Sequence, residues 1–402
     1  MNICHVASTF LPVIGGAELA VHYIAKYQAA DENVVVIAPH DKSKSVFQTN
    51  YGLIRYPFPN KPEILEIVFS RFIYKYLSTF GADVIHAHMA YPAGYLSAYA
   101  KNKLKIPMVV TPQGADVQVN PEIKYGMRLN KKLAKRIEFA LNSADAIGSV
   151  SKSIRNILAN IGVDEKKLYE IPNGVDLEAF KKEFSDSELR EVIDEYGLSR
   201  FDKILIVVGR NHPKKGFDVL IDAIALTVRD GFNIGCLIVG KETESLYPQI
   251  KNLGLNDRVI LTGQIPKVKE KHFSFGNIPD PKLLKLYKVS DIFILPSLVE
   301  SFGIVTAEAM ASGLSIIVTD VEGSCDVVKN GITGLLAKPG DPVDLAEKIK
   351  IILKNKDLSN KFRSNIKLEL EKFDWKNISQ KYLYLYQKLI DERKAGWVVV
   401  RK

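Results

Sequence analysis

The segment Ser290–Gly313, SDIFILPSLVESFGIVTAEAMASG, contains Glu300 and Glu308, one on each side of a predicted helix start. Residues 291–296 are an apolar, β-rich run that predicts a buried strand. Residues 304–311 have the Ala, Glu and Met content of a helix. Glu300 therefore lies in the turn between a strand and a helix, and Glu308 lies about one turn into that helix.

The start of the predicted helix offers a place for an anion. The amides from Phe302 to Val305 belong to the first turn, where no helix carbonyl can pair with them and the helix dipole favours negative charge. Glu300 and Glu308 can then bracket a ligand whose phosphates lie on these amides. The alternative is that Glu300 only caps the helix and Glu308 is a solvated acid on its surface. Other parts of the chain are needed to choose between the two interpretations.

A second apolar run, residues 204–216 (ILIVVGRNHPKKG), ends in a basic loop that holds Arg210, Lys214 and Lys215. Ligands gather at the carboxyl ends of parallel strands, so this loop is expected near the Glu300 turn. Each charge-assisted hydrogen bond from Arg or Lys to a diphosphate would contribute about 1.5–3 kcal/mol. A solvated basic loop is the alternative.

Other motifs follow one another in a fixed order: Gly15-Gly16, DVIHAH at 83–88, TPQG at 111–114, VSKS at 150–153, IPNGVD at 171–176 and GITGLL at 331–336. Together with Glu300…Glu308 and Gly209-Arg210…Lys215-Gly216, they resemble glycosyltransferase family 4 over about residues 1–390. The resemblance implies an α/β GT-B fold. Such a fold has two Rossmann-like, doubly wound parallel-sheet domains that face each other across a cleft, with the last helix crossing back to the first domain.

The resemblance also implies roles for particular residues. Arg210 and Lys215 would hold a nucleotide diphosphate, Glu308 would bind the ribose hydroxyls and Glu300 would contact the donor sugar. The remaining donor contacts would come from the backbone of the turn and from the first glycine loop: Ser301, Phe302, Gly303, Ile304, Val305, Gly15 and Gly16. For the two glycines, a plain helix-entry turn remains open.

The implied reaction is transfer of a hexosyl unit with retention of configuration. The diphosphate leaves, its oxygen deprotonates the acceptor hydroxyl, and attack comes from the same face without a protein nucleophile or a metal. No cofactor is implied beyond the nucleotide-sugar substrate. A UDP-sugar is favoured by its frequency in the family, and GDP-mannose is the main alternative. The acceptor would be a glycan, a lipid-linked compound or a small hydroxyl compound.

Gln113 departs from the family pattern, because many members carry at this place a histidine that touches the donor sugar. A neutral amide can bond a sugar hydroxyl but cannot act as a base near neutral pH. His86 and His88 are nearby alternatives at the end of a predicted strand. We expect at most one of them to point inward, and either a structural or a catalytic role is open for each. The catalytic candidates are thus Arg210, Lys215, Glu300, Gln113 and His88.

Two further classes of protein remain open: another GT-B enzyme such as a nucleotide-sugar epimerase, and a non-catalytic nucleotide-sugar binder. The spacing of Glu300 and Glu308, together with Arg210 and Lys215, favours the transferase over an epimerase. A non-catalytic binder would be expected to lose one of these four residues, and none is lost.

Composition agrees with a two-domain enzyme, because 402 residues with 47% hydrophobic content can bury two cores. We expect one domain over residues 1–185 plus 375–402, and another over 186–374. The three scattered cysteines fit a reducing cytosol. No apolar run approaches the about 20 residues of a membrane span, and no export signal opens the chain, so a cytoplasmic location is expected.

The net charge of +9 raises the possibility of an anionic partner. Residues 124–137 combine six basic residues with apolar ones at helical spacing, which predicts a basic amphipathic helix. Such a helix suits the anionic inner face of a membrane, although a solvated face is the alternative. Nucleic acid is disfavoured, because the aromatic residues do not interleave with basic ones along one face.

Two segments have open assignments. Residues 267–275 interrupt the family pattern as an apparent insertion, either a lid or acceptor contact or a solvated loop. The tail 396–402 is either an added edge strand or disorder.

Strands are predicted at 2–7, 34–38, 83–86, 107–111, 146–150, 204–208, 235–239, 259–262, 292–295 and 315–318.

Overall fold

The computed structural model describes residues 1–40, 49–56, 62–265 and 278–400. The predicted insertion at 267–275 lies outside this part of the chain. Two compact units are present, one formed by Met1–Gly174 with Trp375–Lys402 and the other by Val175–Asp374. No helix in the described ranges is both long and apolar enough to cross a bilayer.

The first unit is built on a seven-stranded parallel sheet with strand order β3-β2-β1-β4-β5-β6-β7. The strands are β1 (Asn2–Ala7), β2 (Asn33–Pro39), β3 (Gly52–Tyr56), β4 (Val84–His88), β5 (Met108–Thr111), β6 (Ala146–Ser149) and β7 (Leu168–Glu170). Helices connect them: α1 (Gly16–Gln28), α2 (Pro62–Phe80), α3 (Tyr95–Leu104), α4 (Lys131–Ser143) and α5 (Lys152–Asn160). Strands β1 and β4 are almost entirely buried, as expected when helices cover both faces of a parallel sheet.

The second unit has a six-stranded parallel sheet with strand order β10-β9-β8-β11-β12-β13. Its strands are β8 (Lys203–Val208), β9 (Ile234–Val239), β10 (Val259–Gly263), β11 (Ile292–Leu295), β12 (Ser315–Thr319) and β13 (Leu335–Ala337). Its helices are α6 (Leu177–Phe180), α7 (Asp186–Glu195), α8 (Phe217–Arg229), α9 (Tyr247–Asn252), α10 (Pro281–Lys288), α11 (Ile304–Ala311), α12 (Ser324–Val327), α13 (Pro342–Lys354) and α14 (Lys356–Glu369).

The first unit ends at Gly174, earlier in the chain than the boundary expected near residue 185. The reason is that the segment after Gly174 packs on the second unit. Helix α6 contacts α11, and α7 contacts α10. Helix α7 lies in a charged segment, where Ser185 and Glu188 form a capping box that starts it.

Each strand predicted from the sequence is present within a residue or two, whereas β3, β7 and β13 were not predicted. All three lie at an edge of their sheets. An edge strand is covered less completely, and most residues of these three are only half-buried or exposed. Strands β3 and β7 include polar residues, and β13 is apolar but only three residues long, so none shows the long apolar run that identifies a central parallel strand.

The basic amphipathic helix expected at 124–137 is shorter and begins later than predicted. A 3-10 turn occupies Met127–Leu129, and α4 begins only at Lys131. Asn130 causes this start, because its side chain accepts hydrogen bonds from the backbone amides of Lys132 and Leu133.

The C-terminal helix α15 (Trp375–Val400) belongs to the first unit, as the predicted crossing helix requires. Its buried residues recur at helical spacing: Trp375, Ile378, Tyr382, Leu385, Tyr386 and Leu389. Both alternatives for the tail were wrong as far as Val400, because the helix continues through residues 396–400. Extending a helix that is already nucleated costs little.

A buried polar cluster of three histidines, His5, His86 and His88, lies on one face of the first sheet. The expectation that at most one of His86 and His88 points inward is wrong. The two residues are two positions apart on β4, so their side chains share a face, since only directly adjacent strand residues alternate. His5 is the register partner of His86 on β1 and brings a third ring to the same face.

Hydrogen bonds connect this histidine cluster to α15. The ring of His86 lies between the Tyr386 hydroxyl, 2.5 Å from Nδ1, and the Thr111 hydroxyl, 2.8 Å from Nε2. Thr111 in turn lies 3.1 Å from the Tyr382 hydroxyl. A Cβ added to Gly148 would fall 2.6 Å from both hydroxyl oxygens of Thr111 and Tyr382, so only glycine leaves room for this contact.

The ring nitrogens of the histidine cluster lie within 4.8 Å of one another, which is close enough for a shared metal ion. However, His5 already bonds His88 at 3.0 Å and Gln28 at 2.9 Å, and both nitrogens of His86 are engaged. Only Nδ1 of His88 has no hydrogen-bond partner in the described part of the chain. The hydrogen bonds therefore favour a structural network over metal ligation.

We expect acid to destabilise the first unit through this cluster. Burial lowers the pKa of His5 to about 4, although its bond to Gln28 acts in the opposite direction. Burial and the neighbouring histidines lower the pKa of His86 and His88 well below their ordinary value. As the pH falls below about 6.5, the unfolded chain binds protons that the folded chain does not. The free energy of unfolding should then fall by about 1.4 kcal/mol per pH unit for each histidine.

Chemical denaturation at pH 7.5 and pH 5 measures this effect. His5→Gln should weaken the pH dependence, whereas His40→Gln, which changes an exposed histidine of the same unit, should leave it as in the wild type. Equal unfolding free energies of the wild type at the two pH values would contradict the prediction.

Candidate functional site

The turn between β11 and α11 has the geometry that the sequence predicted. Gly303 adopts a φ of +83° as the residue before α11, a conformation that suits glycine. The backbone amides from Phe302 to Val305 donate no hydrogen bond to any residue in the described ranges. Four donors at a helix start are thus available to a ligand, which is the arrangement expected of an anion site.

Glu300 is buried in this turn and is held from several sides. Its Oε2 lies 2.5 Å from Nζ of Lys215 and 3.5 Å from Oγ of Ser297, and its Oε1 accepts the backbone amide of Ser301 at 3.0 Å. Burial by itself raises the pKa of Glu300, but the charges of Lys215 and Lys214 and these hydrogen bonds bring it down to about 2. Glu300 is therefore ionised at every physiological pH.

The loop after β8 is fixed against the Glu300 turn, as expected for neighbouring strands of one sheet. The carbonyl of Lys214 accepts the backbone amide of Leu298 at 2.7 Å. Gly216 has a φ of +61°, and a Cβ added there would lie 2.2 Å from the carbonyl oxygen of Pro296. Glycine at 216 is thus required for the close approach that brings Lys215 to Glu300.

The side chain of Arg210, in the same loop, extends into solvent. Its side chain is exposed, and it makes no hydrogen bond or ion pair with any residue that the structure describes. An arginine at the carboxyl end of β8, in the same loop as the partly buried Lys215, suits a ligand with several negative charges.

Glu308 has a very different environment from Glu300. It is buried in α11, and the hydroxyl of Tyr287 donates to its Oε2 at 2.9 Å. Burial raises the pKa of Glu308 to about 7, although the Tyr287 hydrogen bond acts in the opposite direction. The role of Tyr287 was not predicted, because nothing in the spacing of residues 287 and 308 indicates that they meet.

In the first unit, Gly15 and Gly16 begin α1 at the carboxyl end of β1. The carboxylate of Glu18 turns back toward this loop, where it accepts a hydrogen bond from the Thr9 hydroxyl. A Cβ added to Gly15 would lie 2.6 Å from Oε2 of Glu18, so the glycine makes room for the acid. Glu18 was also missed, although a carboxylate in the first turn of a helix is a signal that the sequence contains.

Gln113 lies in the loop after β5, and a buried acid organises that loop. Asp116 accepts the backbone amides of Gln113 at 3.1 Å and Gly114 at 3.2 Å, and that of Ala90 at 2.7 Å. Oε1 of Gln113 accepts from the side chain of Asn173 at 3.1 Å. Gln113 is thus positioned by its neighbours as a polar amide beside the carboxyl ends of β4 and β5.

His88 is only 1% exposed and bonds His5 inside the histidine cluster. This placement favours the structural alternative for His88, and the bonds of His86 favour it there too. The candidates of the second unit lie on the loops after β8 and β11 and on helix α11. They are Arg210, Lys215, Glu300, Glu308 and the turn from Ser301 to Val305.

Comparison with known proteins identifies the family. Residues 14–179 match the family described as Glycosyltransferase Family 4, and residues 202–355 match the one described as Glycosyl transferases group 1. An uncharacterized glycosyltransferase of Methanocaldococcus jannaschii is 31% identical over 313 residues, covering 77% of each chain. The protein belongs to glycosyltransferase family 4. The enzyme class predicted from the motifs is thereby confirmed.

Two further similarities add detail. The N-acetyl-alpha-D-glucosaminyl L-malate synthase of Bacillus anthracis is 27% identical over 319 residues, covering 78% of this glycosyltransferase and 77% of the synthase. The crystal structure of HepE from Anabaena in complex with UDP has a TM-score of 0.76 at 21% identity, covering 96% of this chain and all of that one. The GT-B fold predicted from the sequence is confirmed.

We expect the Lys215–Glu300 pair to be essential for the stability of the second unit. Lys215→Met leaves a buried carboxylate without its partner, which should cost about 3–5 kcal/mol of unfolding free energy. Lys215→Met combined with Glu300→Gln should recover most of that loss, because the charge is removed as well. Denaturant titration of the variants measures both effects.

Lys203→Met is the matched control, because it breaks an ion pair with Asp291 in which the lysine is half exposed. It should cost less than about 1 kcal/mol. A Lys215→Met variant as stable as this control would contradict the prediction.

Proposed function

We propose that this protein is a retaining glycosyltransferase that moves a hexosyl unit from a nucleotide-diphosphate sugar to a hydroxyl group of a glycolipid, a polysaccharide or a small acceptor. The observation that carries the proposal is the row of available amides beside the ion pair between the partly buried Lys215 and the buried Glu300. A diphosphate placed there meets backbone donors and two cations. An enzyme that neutralises its leaving group in this way does not need a metal ion as Lewis acid.

In this proposal the donor is held by the second unit. Arg210 and Lys215 bind the diphosphate, and the backbone of Ser301 to Val305 contacts phosphate and sugar hydroxyls. Glu300 accepts from a sugar hydroxyl, which its low pKa permits because the carboxylate stays ionised. Glu308 accepts from the ribose.

The chemical step needs no protein nucleophile. The bond between the anomeric carbon and the diphosphate oxygen breaks, and Arg210 and Lys215 stabilise the charge that develops on the diphosphate. The acceptor oxygen then bonds the anomeric carbon from the same face, and its proton passes to the departing diphosphate oxygen. Gln113 serves as a neutral donor and acceptor for a sugar hydroxyl, and the Gly15-Gly16 loop lets the backbone approach the substrates.

The base of the donor is proposed to be uridine, with GDP-mannose as the alternative. The HepE structure supports uridine, because it contains UDP. The name of the B. anthracis relative supports a small hydroxyl acceptor, since L-malate carries one. A glycan or lipid-linked acceptor remains compatible with the same chemistry.

The first experiment is a thermal-shift screen of the protein against nucleotide sugars and their free diphosphates, with and without magnesium. A ligand at 100 times its dissociation constant should stabilise by about 2.7 kcal/mol. We expect a shift with one base and one sugar that does not depend on metal. Arg210→Ala should abolish it at unchanged folding stability, because Arg210 supports no described part of the fold.

Turnover of the donor found in this way tests the residues. Arg210→Ala, Lys215→Ala and Glu308→Ala should each lower turnover by about 10² or more. Arg229→Ala, which changes an exposed arginine at the end of α8, is the control and should retain full activity. No shift with any nucleotide, or wild-type turnover in the Arg210 and Glu308 variants, would reject the proposal.

We also propose peripheral binding to an anionic membrane surface through the basic segment 124–137. Lys131, Lys132 and Lys135 are exposed on α4, and apolar side chains accompany them, with Phe139 50% and Leu129 45% exposed. Cations beside exposed apolar groups suit a lipid headgroup layer.

Two arginines of the segment have other functions. Arg136 pairs with Glu66 at 2.9 Å, and Arg128 donates to the carbonyl of Val117 at 3.1 Å. The membrane contact would therefore depend on the lysines rather than on all six basic residues.

Co-sedimentation with vesicles that contain phosphatidylglycerol tests this contact. Replacing Lys131, Lys132 and Lys135 by Glu should release the protein, because each basic residue near the surface contributes about 1 kcal/mol. The control replaces three exposed lysines of α14, namely Lys356, Lys361 and Lys367. Equal binding of the two triple variants, or no wild-type binding at low salt, would contradict the proposal.

A further inference from the structure

Glu308 and Tyr287 form a buried pair in the second unit. The Tyr287 side chain is fully buried and Glu308 is 6% exposed, and the hydroxyl oxygen lies 2.9 Å from Oε2. Tyr287 is the only residue of the described chain whose side chain hydrogen-bonds the Glu308 carboxylate. The other oxygen, Oε1, accepts no hydrogen bond from a described residue, so it is available to a ligand.

The position of the Tyr287 hydroxyl is fixed by packing. Its ring lies in the core against Phe293 of β11 and Phe180 of α6, with ring centroids 6.5 and 6.1 Å away. The helix that carries it, α10, begins at the N-cap Asp280, whose side chain accepts the backbone amide of Lys282 at 2.8 Å. A phenol fixed in this way donates its hydrogen bond in one direction only. Little further side-chain entropy is lost there when a ligand binds.

The hydroxyl controls two properties of Glu308. A buried carboxyl group prefers its neutral form, and a hydrogen bond donated to the carboxylate favours the ionised form. The ionised form is an acceptor at both oxygens, whereas the neutral form carries a proton that it donates from one of them. With Oε2 occupied by Tyr287, the carboxylate plane is fixed and Oε1 is left for a hydroxyl of the substrate.

We infer that Tyr287 is a positioning residue of the donor site, which keeps Glu308 ionised and oriented so that Oε1 accepts a hydroxyl group of the nucleotide ribose. This inference rests on the proposed function, since it assigns the ligand of Glu308 to a nucleotide sugar. It adds a residue of α10 to a site that otherwise consists of the loops after β8 and β11 and the start of α11.

The pH dependence separates positioning from a merely structural role. Burial and the neighbouring Glu308 charge raise the pKa of Tyr287 well above its ordinary value, so the phenol remains a donor throughout the accessible range. Glu308 titrates near neutral pH, whereas Glu300 titrates near 2, and burial and the nearby Arg210 and Lys214 lower the pKa of His212. Donor binding should therefore strengthen as the pH rises through about 7, when Glu308 ionises.

Tyr287→Phe tests the inference, because it keeps the buried ring and removes only the hydroxyl. Two measurements are made from pH 5.5 to pH 8.5. The first is the carbon-13 shift of the Glu308 carboxyl group in the ligand-free protein, assigned by its loss in Glu308→Gln. The second is the dissociation constant of UDP-glucose and of GDP-mannose. Tyr196→Phe, at the end of α7 in the same unit, is the matched control.

In Tyr287→Phe we expect the Glu308 midpoint to move to higher pH, and donor binding at pH 6.5 to weaken by about tenfold. The deficit should shrink as the pH rises, while Tyr196→Phe follows the wild type in both measurements. A Glu308 midpoint that does not move would overturn the inference, and so would a loss of affinity that is the same at every pH. If the midpoint moves but the wild type binds neither nucleotide sugar, the ribose assignment of Glu308 is overturned, although its hydrogen-bond coupling to Tyr287 is demonstrated. The proposed function fails as well only if the wider thermal-shift screen finds no nucleotide that binds.

Discussion

The ion pair between Lys215 and Glu300 is the interaction on which the second unit's candidate site depends. Removing two charges from water is unfavourable unless their partners are placed well, and here the loop after β8 must approach the turn after β11 closely. Gly216 permits that approach, because a side chain there would collide with the carbonyl of Pro296. The same approach leaves the amides at the start of α11 available and brings the partly buried cation of Lys215 to the turn that carries them. Stability and ligand chemistry thus depend on one pair of side chains.

Two glutamates in this site have opposite electrostatic environments. Glu300 faces lysines and backbone amides, and its pKa falls to about 2. Glu308 has a phenol and an apolar surrounding, and its pKa rises to about 7. Glu300 carries a fixed charge, whereas Glu308 is an acid that ionises near neutral pH, although the sequence presents both as glutamate. The environment of each carboxylate, rather than its identity, assigns its role.

Buried polar groups also organise the first unit. Asp116 uses three backbone amides to hold the loop that carries Gln113, and the histidine cluster connects the sheet to α15. Buried groups of this kind must be hydrogen-bonded, so each determines the position of its partners. Tyr382 and Tyr386 anchor the crossing helix through Thr111 and His86, which explains why polar residues recur on a face that otherwise packs as hydrophobic core.

The sequence by itself determined the central strands, the α11 start and the family, because buried parallel strands are apolar runs and each motif is a short local stretch, with the motifs following one another in order along the chain. Tertiary structure decided the rest. Strand β13 is apolar but too short to be recognised as a strand, and the third ring of the histidine cluster comes from His5 on the neighbouring strand. The Tyr287–Glu308 pair joins residues distant in the chain. Hydrogen bonds between such residues, and the pKa values that follow from burial, depend on packing that no local pattern encodes.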